Sequence, residues 1–333
     1  MRHVEKLRVA IAGAGMVTRY HLKAWSCIPS VKVVAIYNRH LEKAISRAKE
    51  FGISKTYSDV AMMLDQERPD ALDIAVSTEV HSEFAMMAAE RGIHILCQKP
   101  MAPSFNEAEK LVADVRGKVR FMVHENWRFR PQYRQTAMWI AEGKTGPINE
   151  FRFSTRSSGL LTRTESGRPF ALERQPFMVH MPGFLILELL IHHLDTIRFL
   201  LGNMWVVGAQ TVHVSPEVIG EDVAVILLKA EKGAIGSISG NFSASGAPLL
   251  PQDRLELIGN RGSIIFDNDM LTLVGETNET VRFDLEEVYQ SSYDNAIAHF
   301  VEAMGTGQPF ETDCLDNLKT LRLVDDAYRF AET

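Results

Sequence analysis

A chain of 333 residues, 46% apolar and 23% charged, has the make-up of an ordinary globular protein and enough length for two cores. Its net charge of −6 leaves no basic footprint for nucleic acid or an anionic membrane surface, and its longest apolar stretch, Phe184 to Leu194, is too short and too interrupted by Glu188, His192 and His193 to span a bilayer. Three cysteines, Cys27, Cys97 and Cys314, form neither a disulfide framework nor a metal spacing, and the polar Met1–Lys6 lacks the apolar run of a signal peptide, so a cytoplasmic protein is expected.

The first third alternates short apolar runs with helical patterns. Leu7–Ala12, Val31–Tyr37, Ala71–Val76, Ile93–Cys97 and Val119–Val123 are nearly continuous apolar, β-branched-rich runs, as expected of strands covered on both faces. Helices are predicted between them over Met16–Cys27, Leu41–Phe51 and Val80–Arg91, the last ending at Gly92, with another opening at the Ser104/Glu107 capping box. This alternation predicts a doubly wound parallel sheet over residues 1–124. A helix near Gln132–Glu142 comes next, and the rhythm changes. Phe151–Phe153, Val223–Lys229, Ala234–Phe242, Leu255–Ile258, Ser263–Phe266 and Val281–Phe283 read as strands of a mostly antiparallel sheet in a second α/β domain, 125–333. Helices are expected over Phe184–Leu201, Tyr293–Met304 and Asp313–Phe330. Leu160–Pro182 is the least regular stretch, of the kind that often carries function.

Gly13-Ala14-Gly15-Met16-Val17-Thr18 sits between the first strand and the first helix. The first glycine permits a tight turn, and the second lets the backbone approach a pyrophosphate held at the helix N-terminus. Thr18 occupies the third position of the fingerprint, where glycine or alanine is usual, so the motif rests on its strand–helix context. Asn38 and Arg39 close the second strand, where a dinucleotide's adenosine ribose is read. Asn38 can hydrogen-bond the ribose without repelling a 2′-phosphate, and Arg39 can pair a phosphate or stack on adenine. NAD is expected, with NADP as the alternative.

Ile93-His-Ile-Leu-Cys-Gln98-Lys99-Pro100 resembles the Glu-Lys-Pro segment of the Gfo/Idh/MocA dehydrogenases, with Gln98 in the glutamate place. Glu188-Leu-Leu-Ile-His192-His-Leu-Asp195 resembles that family's second signature, with Glu188 in place of its usual aspartate. The resemblance runs over nearly the whole chain and is strongest to the sugar and polyol dehydrogenases. It implies a Rossmann domain followed by an α/β domain with a large open sheet, and homodimers or homotetramers stacked through that sheet. It also implies cofactor contacts from Ser77, His81, Gln98 and Lys99 and a substrate contact from Tyr293; Asn126 and Trp127, after the last strand of the first domain, are expected to border the nicotinamide.

Removing hydride from a carbinol requires a base for the hydroxyl proton and a cation near the developing alkoxide. Lys99, past the fifth strand at the carboxyl edge of the sheet, and His192 are the residues expected to supply them. Either of the two could be the proton acceptor. Glu188 and Asp195 fall within a turn of His192 and could orient it, whereas His193 faces elsewhere. A Glu/His pair four apart also suits a metal, but no third ligand is evident and none is expected. Arg128, Arg163 and Arg168 are further candidates for substrate contact. The expected function is oxidation of a sugar or polyol hydroxyl. The competing readings are a reductase of a non-sugar carbonyl and a non-catalytic dinucleotide sensor, which would need the glycine loop alone.

Overall fold

The computed structural model describes residues 6–332; Met1–Glu5, most of the polar lead-in, and Thr333 lie outside it. The chain divides into two compact units. One runs to Phe129 and includes Tyr289–Leu321; the other holds Arg130–Val288 and the chain from Arg322.

The first unit runs β1 (Leu7–Ala12), α1 (Met16–Ser26), β2 (Val31–Tyr37), α2 (Leu41–Phe51), β3 (Thr56–Tyr57), α3 (Val60–Glu67), β4 (Ala71–Ile74), α4 (His81–Glu90), β5 (His94–Gln98), α5 (Phe105–Val115) and β6 (Phe121–His124). The strands form one parallel sheet in the order β3-β2-β1-β4-β5-β6, the doubly wound arrangement that the alternation predicts. The capping box at Ser104 is present: its hydroxyl accepts the Glu107 amide and donates to the Glu107 carboxylate at 2.8 Å. β3 and α3 are additional to the predicted elements. β3 is too short to carry a periodic signal, and α3 is announced only by its Asp59 cap, which accepts the Met62 amide. Tyr289–Leu321 belongs to this unit because Tyr293, Ile297, Phe300 and Phe310 share a core with Val9, Trp25, Leu96 and Met122.

The second unit comprises α6 (Pro131–Ala141), β7 (Ile148–Arg156), α7 (Phe170–Arg174), a π-helix (Leu185–Leu190), α8 (Ile191–Leu201), β8 (Met204–Val212), β9 (Val223–Ala230), β10 (Ile235–Asn241), β11 (Gln252–Gly259), β12 (Gly262–Asp267), β13 (Met270–Gly275) and β14 (Glu279–Arg282). Two helices, α9 (Leu285–Thr306) and α10 (Cys314–Ala331), close the chain. The eight strands run β14-β13-β12-β11-β7-β10-β9-β8, antiparallel at every pairing except β7 with β10. This is the mostly antiparallel sheet expected. β8 escaped the alternation because a bulge between Val206 and Gly208 breaks its period. On the packed face Gly240 lets the π-helix approach: a Cβ there would come within 2.9 Å of the Leu190 side chain.

The segment expected as one helix from Phe184 differs in kind. Its first part is π-helical and only Ile191–Leu201 is α-helical. No helix among the described residues is long and apolar enough to cross a membrane.

Candidate active site

The two glycines of the first loop have separate reasons. Gly13 has φ +125°, and a Cβ there would lie 2.1 Å from the Ala75 carbonyl oxygen, so only glycine fits. Gly15 has an ordinary φ of −76°, and a Cβ on it would meet nothing within 4 Å. Thr18 is buried beneath Gly13, its hydroxyl 3.3 Å from where a Gly13 Cβ would stand. The helix–strand packing left to a third glycine or alanine is thus filled by a threonine. α1 begins at Met16 with no side-chain cap and no acid in its first turn, which leaves the amides from Met16 and Val17 onward to satisfy an anion. Arg47 of α2 braces the loop from behind, donating to the Gly15 carbonyl at 3.1 Å while paired with Glu50 at 2.6 Å. At the end of β2 the half-buried Asn38 accepts the His40 amide at 3.0 Å through its side-chain oxygen, and Arg39 is exposed.

The loops after β4, β5 and β6 lie at the same carboxyl edge of the sheet as the glycine loop. Ser77 is exposed there. His81 is buried between two carbonyls, with Nδ1 2.9 Å from that of Pro100 and Nε2 3.1 Å from that of Val76; burial pulls its pKa down. It therefore links the loop after β4 to the Lys99–Pro100 turn. Lys99 is half-buried, and its backbone amide donates to the Gln98 side-chain oxygen at 3.1 Å. The Gln98 amide nitrogen donates inward, to His21 Nε2 at 2.7 Å and His124 Nδ1 at 3.2 Å. Asp73 completes the group, taking the other ring nitrogen of His21 at 2.8 Å and the Trp25 indole at 2.7 Å on one oxygen. A carboxamide suits this place, because its N–H groups can meet two neutral imidazoles, whereas a carboxylate would ask both rings for a proton. Tyr293 is buried against the His21 and His124 rings, 5.4 and 5.1 Å away, with its hydroxyl 3.2 Å from that of Tyr289. Asn126 is buried and donates to Ser292 at 2.6 Å. The buried Arg128 is engaged by the Glu311 carbonyl at 2.8 Å and by Asp316 at 3.0 Å, a structural role.

In the second unit Glu188 is half-buried within the π-helix, and His192, 7% exposed, is the second residue of α8. Asp195 is fully buried with Arg198 4.0 Å away. His193 faces the sheet, meeting the Phe153 ring edge to face and reaching Asp253 at 3.0 Å. Asp253 also accepts from the Tyr133 hydroxyl and Arg130. Burial works against its charge, but His193, Arg130 and Tyr133 outweigh it and hold the carboxyl below its usual range, while burial pushes the Tyr133 hydroxyl up. Arg163 is exposed and paired with Glu217 at 2.6 Å. Arg168 is exposed as well. Among the described residues no three His, Cys, Asp or Glu side chains converge to hold a metal ion.

Residues 7–125 match the model of the oxidoreductase family with NAD-binding Rossmann fold, and residues 133–265 match the GFO/IDH/MocA C-terminal domain. A D-apiose dehydrogenase of Paraburkholderia graminis is 31% identical, over 98% of this chain and 88% of that protein. The chain belongs to the Gfo/Idh/MocA oxidoreductase family. A second relative, a D-apiose dehydrogenase of Rhizobium rhizogenes, is 28% identical over 99% of this chain and 96% of its own length. Among solved structures an oxidoreductase from Agrobacterium radiobacter, in complex with NAD+, L-tartaric acid and magnesium, superposes with a TM-score of 0.91 at 27% identity, covering 98% of this chain and 97% of that one. A levoglucosan dehydrogenase in complex with NADH and levoglucosan shares the fold, with a TM-score of 0.87 at 22% identity over 98% of each chain.

This Gfo/Idh/MocA chain fits the cofactor of its family model: a strained glycine, an open space at Gly15 and an uncapped helix start are what a pyrophosphate requires. Several residues of the site region carry little linear signal. Asp73 is the legible one, a charged residue in an otherwise apolar strand. His21, Trp25 and His124 look like core residues, and nothing in the sequence pairs them with Gln98.

Proposed function

We propose that the protein oxidises a hydroxyl of a sugar or polyol to a lactone or ketone with NAD, and that Lys99 and His192 act on the reacting oxygen. When bound, NAD supplies the acceptor for the hydride that leaves carbon. His192 takes the hydroxyl proton on an imidazole nitrogen, and the Lys99 ammonium holds the oxygen while negative charge develops on it. Glu188 orients His192 and favours its charged form. In the first unit, Gly13, Gly15, Met16 and Val17 hold the pyrophosphate, Asn38 and Arg39 the adenosine ribose, and Ser77, His81, Gln98 and Asn126 shape the edge from which Lys99 reaches substrate. Arg163 and Tyr293 are the outlying members of the proposed substrate set.

The observation that carries this reading is the single edge shared by the glycine loop and Lys99. The uncapped start of α1 comes after β1, and Lys99 ends β5 of the same parallel sheet. A sensor needs only the first of these. The D-apiose dehydrogenases aligned with 98% and 99% of the chain make branched pentoses the first sugars to try, beside aldoses and inositols. A panel of these with NAD and NADP, read at the nicotinamide absorbance, tests the proposal; tight NAD binding with no turnover on any of them would favour the sensor.

Cofactor choice depends on Asn38. Asp in its place keeps an acceptor for the His40 amide and adds a charge that repels a 2′-phosphate. A charged contact is worth about 1.5–3 kcal/mol, so Asn38→Asp is expected to raise the NAD/NADP preference in kcat/KM by about tenfold or more. An unmoved ratio would remove Asn38 from the ribose site.

A homodimer or homotetramer formed through the large sheet is part of the same proposal. Trp205, Val207, Val225, Leu227 and Ile235 are exposed on β8, β9 and β10, an apolar cluster that a second copy would cover. Sedimentation as a monomer at micromolar concentration would contradict it. The three cysteines are free, with Cys97 buried, which suits a reducing, cytoplasmic setting.

A further inference from the structure

The segment carrying Glu188 and His192 begins in an unusual way. An ordinary helix leaves its first four amides without partners inside the helix. Here all four find partners, and two residues distant in sequence provide them. The Phe184 and Ile186 amides donate to the two carboxylate oxygens of Glu221, at 3.0 and 2.9 Å. The Leu185 amide donates to the Glu221 backbone carbonyl at 3.1 Å. The Leu187 amide donates to the Tyr328 hydroxyl at 3.2 Å, and that hydroxyl donates in turn to Glu221 at 2.7 Å. Glu221 is 8% exposed. Two glycines make room: a Cβ on Gly220 would lie 2.6 Å from the Met181 carbonyl, and one on Gly183 would lie 2.8 Å from the Tyr328 hydroxyl.

This cap leads into the π-helix Leu185–Leu190, which runs directly into α8. A π-turn carries one residue more than an α-turn, is rare, and tends to occur at functional sites. It persists only where its surroundings favour it over the α form. Were this segment to relax to an α-helix, the extra residue would be taken up, and Glu188, which lies inside the π-turn, would rotate relative to His192 by part of the roughly 100° that one residue of a 3.6-residue turn spans. The relative placing of the two side chains therefore depends on the cap.

We propose that Glu221 and Tyr328 are positioning residues that hold the π-turn open, and so set Glu188 against His192. The catalytic consequence rests on the function proposed above; the positioning itself does not. Neither residue is assigned a contact with the reacting atoms. Both act through the four amides.

Two variants test it, in the full-length protein. Tyr328→Phe removes one acceptor and one donor with almost no change of shape. Glu221→Gln keeps the shape but turns an N–H donor toward one of the amides. Thermal unfolding checks that each remains folded, and Tyr328→Phe is the gentler should Glu221→Gln fail. The first readout is amide exchange across residues 184–187, which is expected to speed up in both. The second is the His192 ring signal in histidine-labelled protein, assigned with His192→Gln. It is expected to shift or broaden, while the signals of His21, His81 and His124 in the other unit hold. The third is kinetic: displacement of a catalytic group by about 1 Å can cost about 100-fold, so kcat is expected to fall roughly 10- to 100-fold with NAD affinity unchanged. Unchanged exchange, or an unchanged His192 signal in a folded variant, would overturn the proposal, as would normal kcat in a variant whose exchange has accelerated. If the native enzyme turns over no sugar or polyol, the function proposed above fails, and the ring signal still decides whether Glu221 and Tyr328 position His192.

Discussion

A Gly15→Val enzyme is expected to fold as the native chain does and to lose NAD. The backbone at Gly15, φ −76° and ψ −167°, is one that valine adopts readily, and its Cβ would enter open space. Valine is a poorer helix N-cap than glycine, a loss of about 1 kcal/mol, which a domain of this size survives. The open space is the place a pyrophosphate needs to approach the first amides of α1, and a branched side chain would fill it. NAD affinity is expected to fall by about a hundredfold or more, equivalent to about 2.7 kcal/mol, with the thermal midpoint shifted by only a few degrees. Gly13→Ala makes the contrast. With φ +125° and the Ala75 carbonyl 2.1 Å from any Cβ, it should destabilise the fold itself. Titration of Gly15→Val with NAD, beside its melting curve, checks the first claim. A folded variant with native affinity would take the loop out of the cofactor site.

Much of the fold is legible in the chain because its signals are local. β1, β2 and α2 have the predicted bounds, since apolar runs and the helical period each act within a dozen residues. The antiparallel sheet is visible in alternation, but β8 is hidden by its bulge. What stays hidden is long-range. The assignment of Tyr293, Ile297 and Phe300 to the first core depends on contacts some 200 residues or more distant in sequence from Val9, Trp25 and Leu96, and no window contains both. The same holds for the site. The glycine loop announces itself through its strand–helix context, and the proposed Lys99 and His192 through their resemblance to the two family signatures. The Gln98–His21–Asp73 group and the Glu221–Tyr328 cap exist only once distant elements meet, and the π-turn that depends on the cap reads in sequence as part of one continuous apolar helix.

Alanine at Lys99 or His192 is expected to produce a larger loss of turnover than a change at Glu188, Glu221 or Tyr328. A positioned general base contributes about 10²–10⁴-fold, so His192→Ala should reduce kcat by that range while leaving NAD affinity almost unchanged, since α8 has no part in the glycine loop. Lys99→Ala should cost at least as much, because the ammonium both holds the substrate oxygen and stabilises the charge that develops on it. Glu188→Gln should cost less than either, because it acts on the proton only through His192. The roles of His192 and Lys99 are tested most directly by kcat for His192→Ala and Lys99→Ala on the sugar the native enzyme turns over best, with the NAD dissociation constant taken on the same preparations. Losses of about a hundredfold or more in kcat, with native NAD binding in both, are the predicted result. A His192→Ala or Lys99→Ala enzyme that keeps most of its kcat at every pH where the native enzyme works would contradict it.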